Sequence, residues 1–293
     1  MGTSPLYPFP LSPNCIFDSP AFYDRHAPRF PQSVYLRSDQ PGWDAGASLL
    51  AKSEGYFHPG MGSYGILPPA LKPDALARLK QPIHTLTPPL AILERKAWAY
   101  LHYLGTLGFS LQSCEPSFLI RITDGPLEFL LDRGNRKRLR RAQAAGLVFR
   151  KQQEWRTLYT LLEQNRAEKG ATLSMSPDEI QFMLDTFPGK CAWFSLSDES
   201  RPVAAAFVLQ PLSSVWQVVY WGHAPGTDHL SPVTFLAACL YEKAVLAGIH
   251  FLDLGTASLH NQPNEGLIRY KQNLGAFPSL KFSMVYHPPA HDA

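Results

Sequence analysis

Several residues in the second half of the sequence combine chemically useful side chains with positions at the ends of predicted strands. His223 follows the predicted strand 215–221, which also contains Tyr220. A neutral imidazole can take a proton from an acceptor ammonium, and a phenol can protonate a leaving thiolate or hydroxyl. Asp253 and Gly255 end another predicted strand, where the loops of α/β sheets form sites. The alternative is that all three residues are structural. His223 would then be an ordinary histidine at a strand end, Asp253 would cap main-chain amides, and Gly255 would be needed only for its backbone conformation.

Three cations stand close to the predicted ends of helices. Lys271 lies four residues before Gly275, and Arg166 and Lys169 close the predicted helix 152–166. A cation at a helix C-terminus complements the helix dipole, which accounts for all three residues without any ligand. The other interpretation of Arg166 and Lys169 is a contact to a carboxylate or phosphate of an acceptor.

Positive charge is concentrated in one segment. Residues 133–156 hold nine basic residues and one acidic residue, whereas the whole chain has a formal net charge of only +3. Such a local positive field can attract phosphates or another polyanion. The alternative is that these basic residues form a solvated helix face and pair with carboxylates from elsewhere in the chain. An apolar stripe at helical spacing runs through the segment, so part of it packs. The candidate polyanion-binding residues are Arg136, Lys137, Arg140 and Arg141.

Composition limits the class of protein. The 293 residues suffice for one large domain or two small ones, and 45% apolar with 17% charged residues excludes a disordered chain. We expect a cytoplasmic protein without a membrane span, because apolar stretches are short and prolines precede the first basic residue, Arg25. The four cysteines fit no zinc or redox spacing and predict buried free thiols. We expect no metal, and the oligomeric state stays open.

The pattern of elements predicts an uneven division of the chain. Residues 1–32 are rich in proline and predict an extended or disordered arm. Residues 33–125 predict a small β-helix-β half with a helix at 90–104, and residues 126–146 predict a basic connecting helix. Residues 147–287 predict the order β-α-α-β-β-β-α-β-α-β, with a capping box from Ser176 to Glu179, and residues 288–293 form a tail.

That order resembles the GNAT acyltransferase fold, an α/β (α+β) fold with a mixed sheet flanked by helices. In that fold the fourth and fifth strands splay apart, and the donor thioester lies in the gap. Four stretches resemble the FemAB/FemX-like branch: 136–146 (R-x-x-x-R-x-A-x-x-x-G), 166–170, 229–232, and 252–255 together with 266–276. The resemblance covers residues 117–287. It implies two GNAT-like halves, the first one reduced, with a degraded substrate loop at 57–65.

The resemblance implies a bacterial N-acyltransferase without a covalent enzyme intermediate. Its donor would be an aminoacyl-tRNA, an acyl-CoA or another acyl thioester, and its acceptor an amine on a small molecule or peptide. Lys271 would meet the charged donor or the developing oxyanion, next to the aromatic Tyr270. The implied catalytic residues are Lys271, His223, Tyr220 and Asp253, and the implied substrate-binding residues are Arg166, Lys169, Tyr270, Gly255 and Ser231.

One departure from the GNAT pattern concerns the donor. Acetyl-CoA enzymes of this fold cradle the diphosphate with glycine-rich amides at a helix N-terminus. The matching loop, 223–231, has one glycine, Gly226, and an acidic residue, Asp228. We therefore expect weak binding of acetyl-CoA, and tRNA phosphates would suit the basic segment. The alternatives are a nucleic-acid-binding protein without catalysis and a former enzyme that serves as an interaction module.

Overall fold

The computed structural model describes residues 15–37, 46–57, 64, 76–79, 81–199, 201–259 and 262–289 and shows the expected mixed α/β architecture. The helices in these ranges are α1 Pro20–His26, α2 Leu90–Leu93, α3 Ala97–Thr106, α4 Arg133–Ala144, α5 Arg156–Ala167, α6 Pro177–Thr186, α7 Pro232–Leu246 and α8 Glu265–Asn273. The strands are β1 Val34–Arg37, β2 Gly46–Lys52, β3 Gly55–Phe57, β4 Ile83–Leu86, β5 Phe109–Arg121, β6 Val148–Gln152, β7 Cys191–Asp198, β8 Arg201–Leu212, β9 Val215–His223, β10 Phe251–Thr256, β11 Ser258–Leu259, β12 Gln262–Pro263 and β13 Phe277–Tyr286.

The chain forms two compact units, and their limits differ from the predicted boundaries at 125 and 147. The first comprises Met1–Ser117, Pro211–Ser213 and Ser279–Ala293. Its strands follow the order β1-β2-β3-β4-β13-β5. The last strand of the chain therefore lies in this unit, where Ser283 pairs with Leu86, and not in the sheet predicted for 147–287.

The second unit comprises Phe118–Gln210 and Ser214–Pro278 and contains every candidate site residue. Its strands follow the order β5-β10-β9-β8-β7-β6, with the end of β5 at one edge. Helix α7 is apolar along most of its length because it packs its buried face on the sheet, together with residues such as Val218 and Leu252. The predicted succession of elements from β6 to α8 is confirmed, with one addition, the short hairpin β11-β12.

Two sequence predictions are corrected, and a third falls almost wholly outside the described residues. The described part of the proline-rich arm is not extended, because Pro20 occupies the first position of α1, where proline is favourable, and Ser19 caps that helix. Phe17 beside it is fully buried. The predicted helix 90–104 is interrupted at Glu94, whose φ of 49° cannot continue an α-helix. The loop predicted at 57–65 lies almost wholly outside the described residues.

The cysteine prediction holds for three residues and is wrong for one. Cys15, Cys191 and Cys239 are buried free thiols, whereas Cys114 is exposed. Cys114 lies in the half-exposed part of β5, where side chains alternate between the two faces of the strand. Of the helices in the described ranges, none combines the length and apolarity that crossing a bilayer requires.

Candidate functional site

The centre of the candidate site is a gap between two parallel strands. β9 and β10 are in register at Phe251 with Val215, Leu252 with Trp216, and Asp253 with Gln217. Both strands continue beyond this point, β9 to His223 and β10 to Thr256, without further pairing between these described segments. The two strands therefore separate after Gln217, which is the splay that the resemblance implied.

The side chains of β9 change faces just beyond the point of separation. Trp216 and Val218 face the apolar cluster under α7, as does Trp221. Tyr220 and Gly222, by contrast, lie on the opposite face, toward the connection after α5 and toward α5 itself. In a regular strand, successive side chains point to opposite faces, so Val218 and Trp221 could not share a face. The strand is therefore irregular between these two residues. The irregularity lies next to the gap, where β10 no longer pairs with the main chain of β9.

Asn165 connects α5 to the end of β9, and the sequence analysis missed it. Its side chain is buried; Nδ2 donates to the carbonyl oxygen of His223 at 3.0 Å, and Oδ1 accepts from Nζ of Lys169 at 3.0 Å. A signal was present, because Asn165 continues the buried stripe of Leu158 and Leu162, where an unpaired amide would be costly. Asn165 thus positions both His223 and Lys169.

Gly222 allows this arrangement, which gives a testable consequence. A Cβ at Gly222 would lie 2.5 Å from Asn165 Oδ1 and 2.9 Å from its Cγ. Gly222→Ala should therefore displace the Asn165 amide and lower the free energy of unfolding by about 1 to 3 kcal/mol. Urea denaturation measures this change. The matched control is Gly105→Ala in α3, whose Cβ meets no atom within 4 Å, and it should not be destabilising. Equal stability of the two variants would contradict the proposed packing.

Two cations lie beside this cluster. Burial is the main cause that lowers the pKa of Arg166, and Tyr220 partly opposes it. Burial is also the largest cause that lowers the pKa of Lys169, and repulsion from Arg166 is the second. The negative charge of Asp228 acts in the opposite direction. Since both groups are partly desolvated and repel each other, an anion between them would be favourable. The role of Arg166 and Lys169 in acceptor binding stays a prediction.

The ring of His223 is half-buried and has a defined orientation. Its Nδ1 lies 3.1 Å from the carbonyl oxygen of Ala224, so we assign the proton to Nδ1. Nε2 lies 3.5 Å from Oδ1 of Asp228, whose side chain is 80% exposed. With that tautomer, Nε2 carries the lone pair and lies next to the exposed carboxylate of Asp228.

Tyr220 has partners other than a leaving group. Its hydroxyl accepts from the main-chain nitrogen of Met175 at 2.9 Å and lies 2.6 Å from Oγ of Ser174. Burial raises the pKa of Tyr220, which makes it a weaker acid. Its contacts are those of a residue that positions the segment between α5 and α6.

Lys271, Asp253 and Gly255 form a separate group at the end of β10. Nζ of Lys271 donates to the carbonyl oxygens of Leu254 at 2.7 Å, Gly255 at 2.9 Å and Thr256 at 2.7 Å. An ammonium has three protons, and these three contacts to main-chain oxygens can use all of them. Oδ1 of Asp253 accepts from the nitrogen of Gly255 at 2.8 Å, and Gly255 has a φ of 77°. This group ties α8 to the main chain of β10 beyond the last residue that pairs with β9.

A pocket of about 350 Å³ lies at the N-terminus of α7, next to His223. Two of the predicted substrate-binding residues, Ser231 and Tyr270, line it, and so does Arg138, which was not among the predicted site residues. Burial raises the pKa of Tyr270 to about 12, although a hydrogen bond to Thr234 and the charge of Arg138 act in the opposite direction. The pocket therefore presents a neutral phenol and a guanidinium beside the imidazole.

The loop between β9 and α7 uses its amides internally. The nitrogens of Thr227, Leu230 and Ser231 donate to carbonyl oxygens within the loop, at 3.3, 3.0 and 2.9 Å. Such amides are the groups that cradle a diphosphate in a glycine-rich loop. Together with the exposed carboxylate of Asp228, this pairing makes the loop poorly suited to a coenzyme A diphosphate.

The basic helix α4 presents its charges to solvent. Arg136, Lys137, Arg140 and Arg141 are all exposed. Arg140 forms an ion pair with Glu128 at 2.7 Å, whereas Arg138 donates to Oδ1 of Asn135 at 3.1 Å. An exposed ion pair holds its partners weakly, so it does not prevent a polyanion from binding.

The structure thus brings the predicted residues together in three groups. His223, Tyr220, Arg166 and Lys169 surround Asn165 and the end of β9, and His223 shares a pocket with Ser231 and Tyr270. Lys271, Asp253 and Gly255 support β10, and the four basic residues of α4 form an exposed face.

Comparisons with solved structures agree with this architecture. The structure of FemX has a TM-score of 0.65 at 12% identity, over 90% of each chain. L-PGS from Bacillus licheniformis has a TM-score of 0.57 at 12% identity, over 94% of each chain. The C-terminal domain of a putative lysylphosphatidylglycerol synthetase from Agrobacterium fabrum has a TM-score of 0.57 at 14% identity, over 90% of this chain and 87% of that one. No family model matches the chain, and neither does any curated protein. The fold is therefore FemX-like.

Proposed function

We propose that this protein is an acyltransferase that moves an acyl or aminoacyl group from an activated donor to an amine. The observation that supports this most is the separation of β9 from β10 after Gln217, with an irregular β9 beside it. A carbonyl oxygen in this gap would face main-chain amides of β9 that β10 does not engage. Fixed amide dipoles aimed at a developing oxyanion are usually the largest contribution to acyl-transfer catalysis.

His223 is the proposed general base. Nε2 would take a proton from the acceptor ammonium, and Asp228 would stabilise the imidazolium. The amine nitrogen then attacks the acyl carbon, and the bond from that carbon to the leaving oxygen or sulfur breaks. The nitrogen loses its second proton to the leaving group as the amide forms, and His223 releases the first proton to solvent. Arg166 and Lys169 would bind a carboxylate or phosphate of the acceptor, which directs its amine toward the gap.

An aminoacyl ester on tRNA is the donor that the site favours over acyl-CoA. The internally paired loop at 223–231 disfavours a coenzyme A diphosphate, and the exposed basic residues of α4 suit nucleic-acid phosphates. The same basic residues are the observation that favours the second candidate function, nucleic-acid binding without catalysis.

A transfer assay separates these functions. The protein is incubated with a mixture of aminoacylated tRNAs or with acetyl-CoA, together with amino-acid and peptide acceptors, and amide products are detected by mass spectrometry. We expect amide products from charged tRNA. Tight tRNA binding with no amide product would favour the non-catalytic function.

Binding of tRNA should depend steeply on salt. If the four basic residues of α4 each contact a phosphate, the affinity should fall by about 50- to 150-fold between 50 and 200 mM salt. The double variant Arg136→Gln/Arg141→Gln should halve the slope, whereas Arg201→Gln, an exposed arginine on β8, should leave it unchanged. A slope that is the same in all three proteins would exclude α4 as the tRNA contact.

Acetyl-CoA should bind weakly. Because the loop amides are occupied and Asp228 repels a diphosphate, we expect no binding in the low-micromolar range by calorimetry. A low-micromolar dissociation constant, which corresponds to a binding free energy of about −8 kcal/mol, would instead make acyl-CoA the donor.

A further inference from the structure

A second pocket lies at the other end of β9 from His223. It has a volume of about 310 Å³ and is lined by the start of β7, the end of β8, Trp216 of β9 and the end of α7. Trp216 and His223 are seven residues apart along the strand, which corresponds to about 23 Å. This pocket is therefore separate from the proposed transfer site.

The wall of the pocket is apolar and aromatic. Phe194 and Trp216 contribute rings whose centroids are 6.0 Å apart, and Val208 and Leu246 lie beside them. The thiol of Cys191 also lines the wall; burial raises its pKa to about 12, and Sγ donates to the carbonyl oxygen of Met183 at 3.4 Å. Cys191 is consequently part of an unreactive wall and not a nucleophile.

The rim of the pocket carries three lysines from separate parts of the chain. Lys151 is in β6, Lys190 precedes β7, and Lys243 is in α7. No aspartate or glutamate is among the lining residues. Within the described ranges, none of these three ammonium groups has an ion pair or side-chain hydrogen bond. Three unneutralised charges around one apolar cavity would be complemented by an anion.

We propose that this pocket binds an amphipathic anion, with an apolar body against Phe194 and Trp216 and a carboxylate or phosphate among the three lysines. Ligand pockets typically combine an apolar lining with a few polar groups that orient the ligand, and this volume is at the lower end of their range. At about 30 Å³ for each water-sized unit, the cavity holds about ten non-hydrogen atoms. The ligand class is therefore a short acyl chain or a single aromatic system with one anionic group. The proposal does not depend on the transfer reaction.

Titrations followed by amide NMR test the proposal with defined probes: octanoate, octyl phosphate, octanamide, acetate and inorganic phosphate. We expect octanoate and octyl phosphate to shift the signals of residues 189–192 and 243–247 and the indole of Trp216. Octanamide, which lacks the charge, and acetate, which lacks the apolar body, should each bind at least about tenfold more weakly than octanoate. The two octyl anions compared with each other distinguish a carboxylate site from a phosphate site.

Variants of the rim and of the wall provide the decisive comparison. Lys190→Gln and Lys243→Gln should each weaken octanoate binding by about threefold to tenfold, whereas Arg201→Gln, which removes the same charge elsewhere on the surface, should have no effect. Ala247→Trp fills the cavity from an exposed position and should abolish binding without loss of the fold.

Four results would overturn the proposal. One is equal affinity for octanoate and octanamide, and another is unchanged octanoate affinity in the lysine variants. The third is a set of signal shifts confined to residues 223–234, which would place the anion at the pocket beside His223. Absence of any binding at millimolar octanoate and octyl phosphate counts against it as well.

Discussion

Replacement of His223 by alanine should lower turnover by about a hundredfold to ten-thousandfold, because a positioned general base contributes an effect of that size. The ring is fixed through Nδ1 on Ala224, and its Nε2 is the proposed proton acceptor. The carbonyl oxygen that Asn165 binds belongs to the main chain and survives the substitution. The melting temperature should therefore change little, and steady-state amide formation measures the loss.

The same loop offers a matched control. His229 is exposed, and its Nδ1 lies 3.1 Å from the carbonyl oxygen of Gly226, but it does not line the pocket beside Ser231. His229→Ala should thus retain nearly full activity. A loss of less than about threefold in His223→Ala would remove His223 from the proposed mechanism, since that is well below the contribution of a general base.

Lys271→Ala should lower the free energy of unfolding by about 3 to 5 kcal/mol, because it leaves three buried or half-buried carbonyl oxygens without their charged donor. Lys271 itself is only 2% exposed, so water cannot replace the ammonium without rearrangement. At about 2 to 4 °C per kcal/mol, the melting temperature should fall by at least about 6 °C. Lys271→Met keeps most of the aliphatic volume of the side chain, so it should lower the free energy of unfolding less than Lys271→Ala does.

Arg269→Ala is the control for Lys271, since it removes a cation from an exposed position of the same helix, α8. Its stability should stay within about 0.5 kcal/mol of the unsubstituted protein. The sequence resemblance predicted a different outcome for Lys271→Ala, a loss of turnover by about a hundredfold to a thousandfold with an almost unchanged melting temperature. That outcome would show that Lys271 contacts the donor in the reacting complex and leaves its main-chain partners.

The fold from β6 to α8 could be predicted from the sequence because its local signals agree with its packing. The capping box at Ser176 and Glu179 forms as expected, and the largely apolar α7 packs on the sheet. Proline content was misleading in the arm, since Pro20 begins a helix. The position of β13 could not be read from local pattern, because pairing with β4 is a contact between segments about 200 residues apart.

The candidate site shows a similar division. The residue types at strand and helix ends identified His223, Asp253 and Lys271 as candidate site residues, but only the structure separates their surroundings. Lys271 and Asp253 bind main-chain groups at the end of β10, whereas His223 faces a pocket. Asn165 was missed because its role depends on the approach of Gly222 from a strand distant in sequence.

The most direct test of the proposed transfer reaction is the location of a stable donor mimic. An aminoacyl-adenosine in which an amide replaces the reactive ester can be soaked into crystals of the protein or cross-linked to it. The account predicts that its carbonyl lies between β9 and β10 beyond Gln217, with the carbonyl oxygen toward β9 main-chain nitrogens and the adenosine toward α4. A mimic bound with its carbonyl outside that gap, while the protein still forms amide product, would contradict the account.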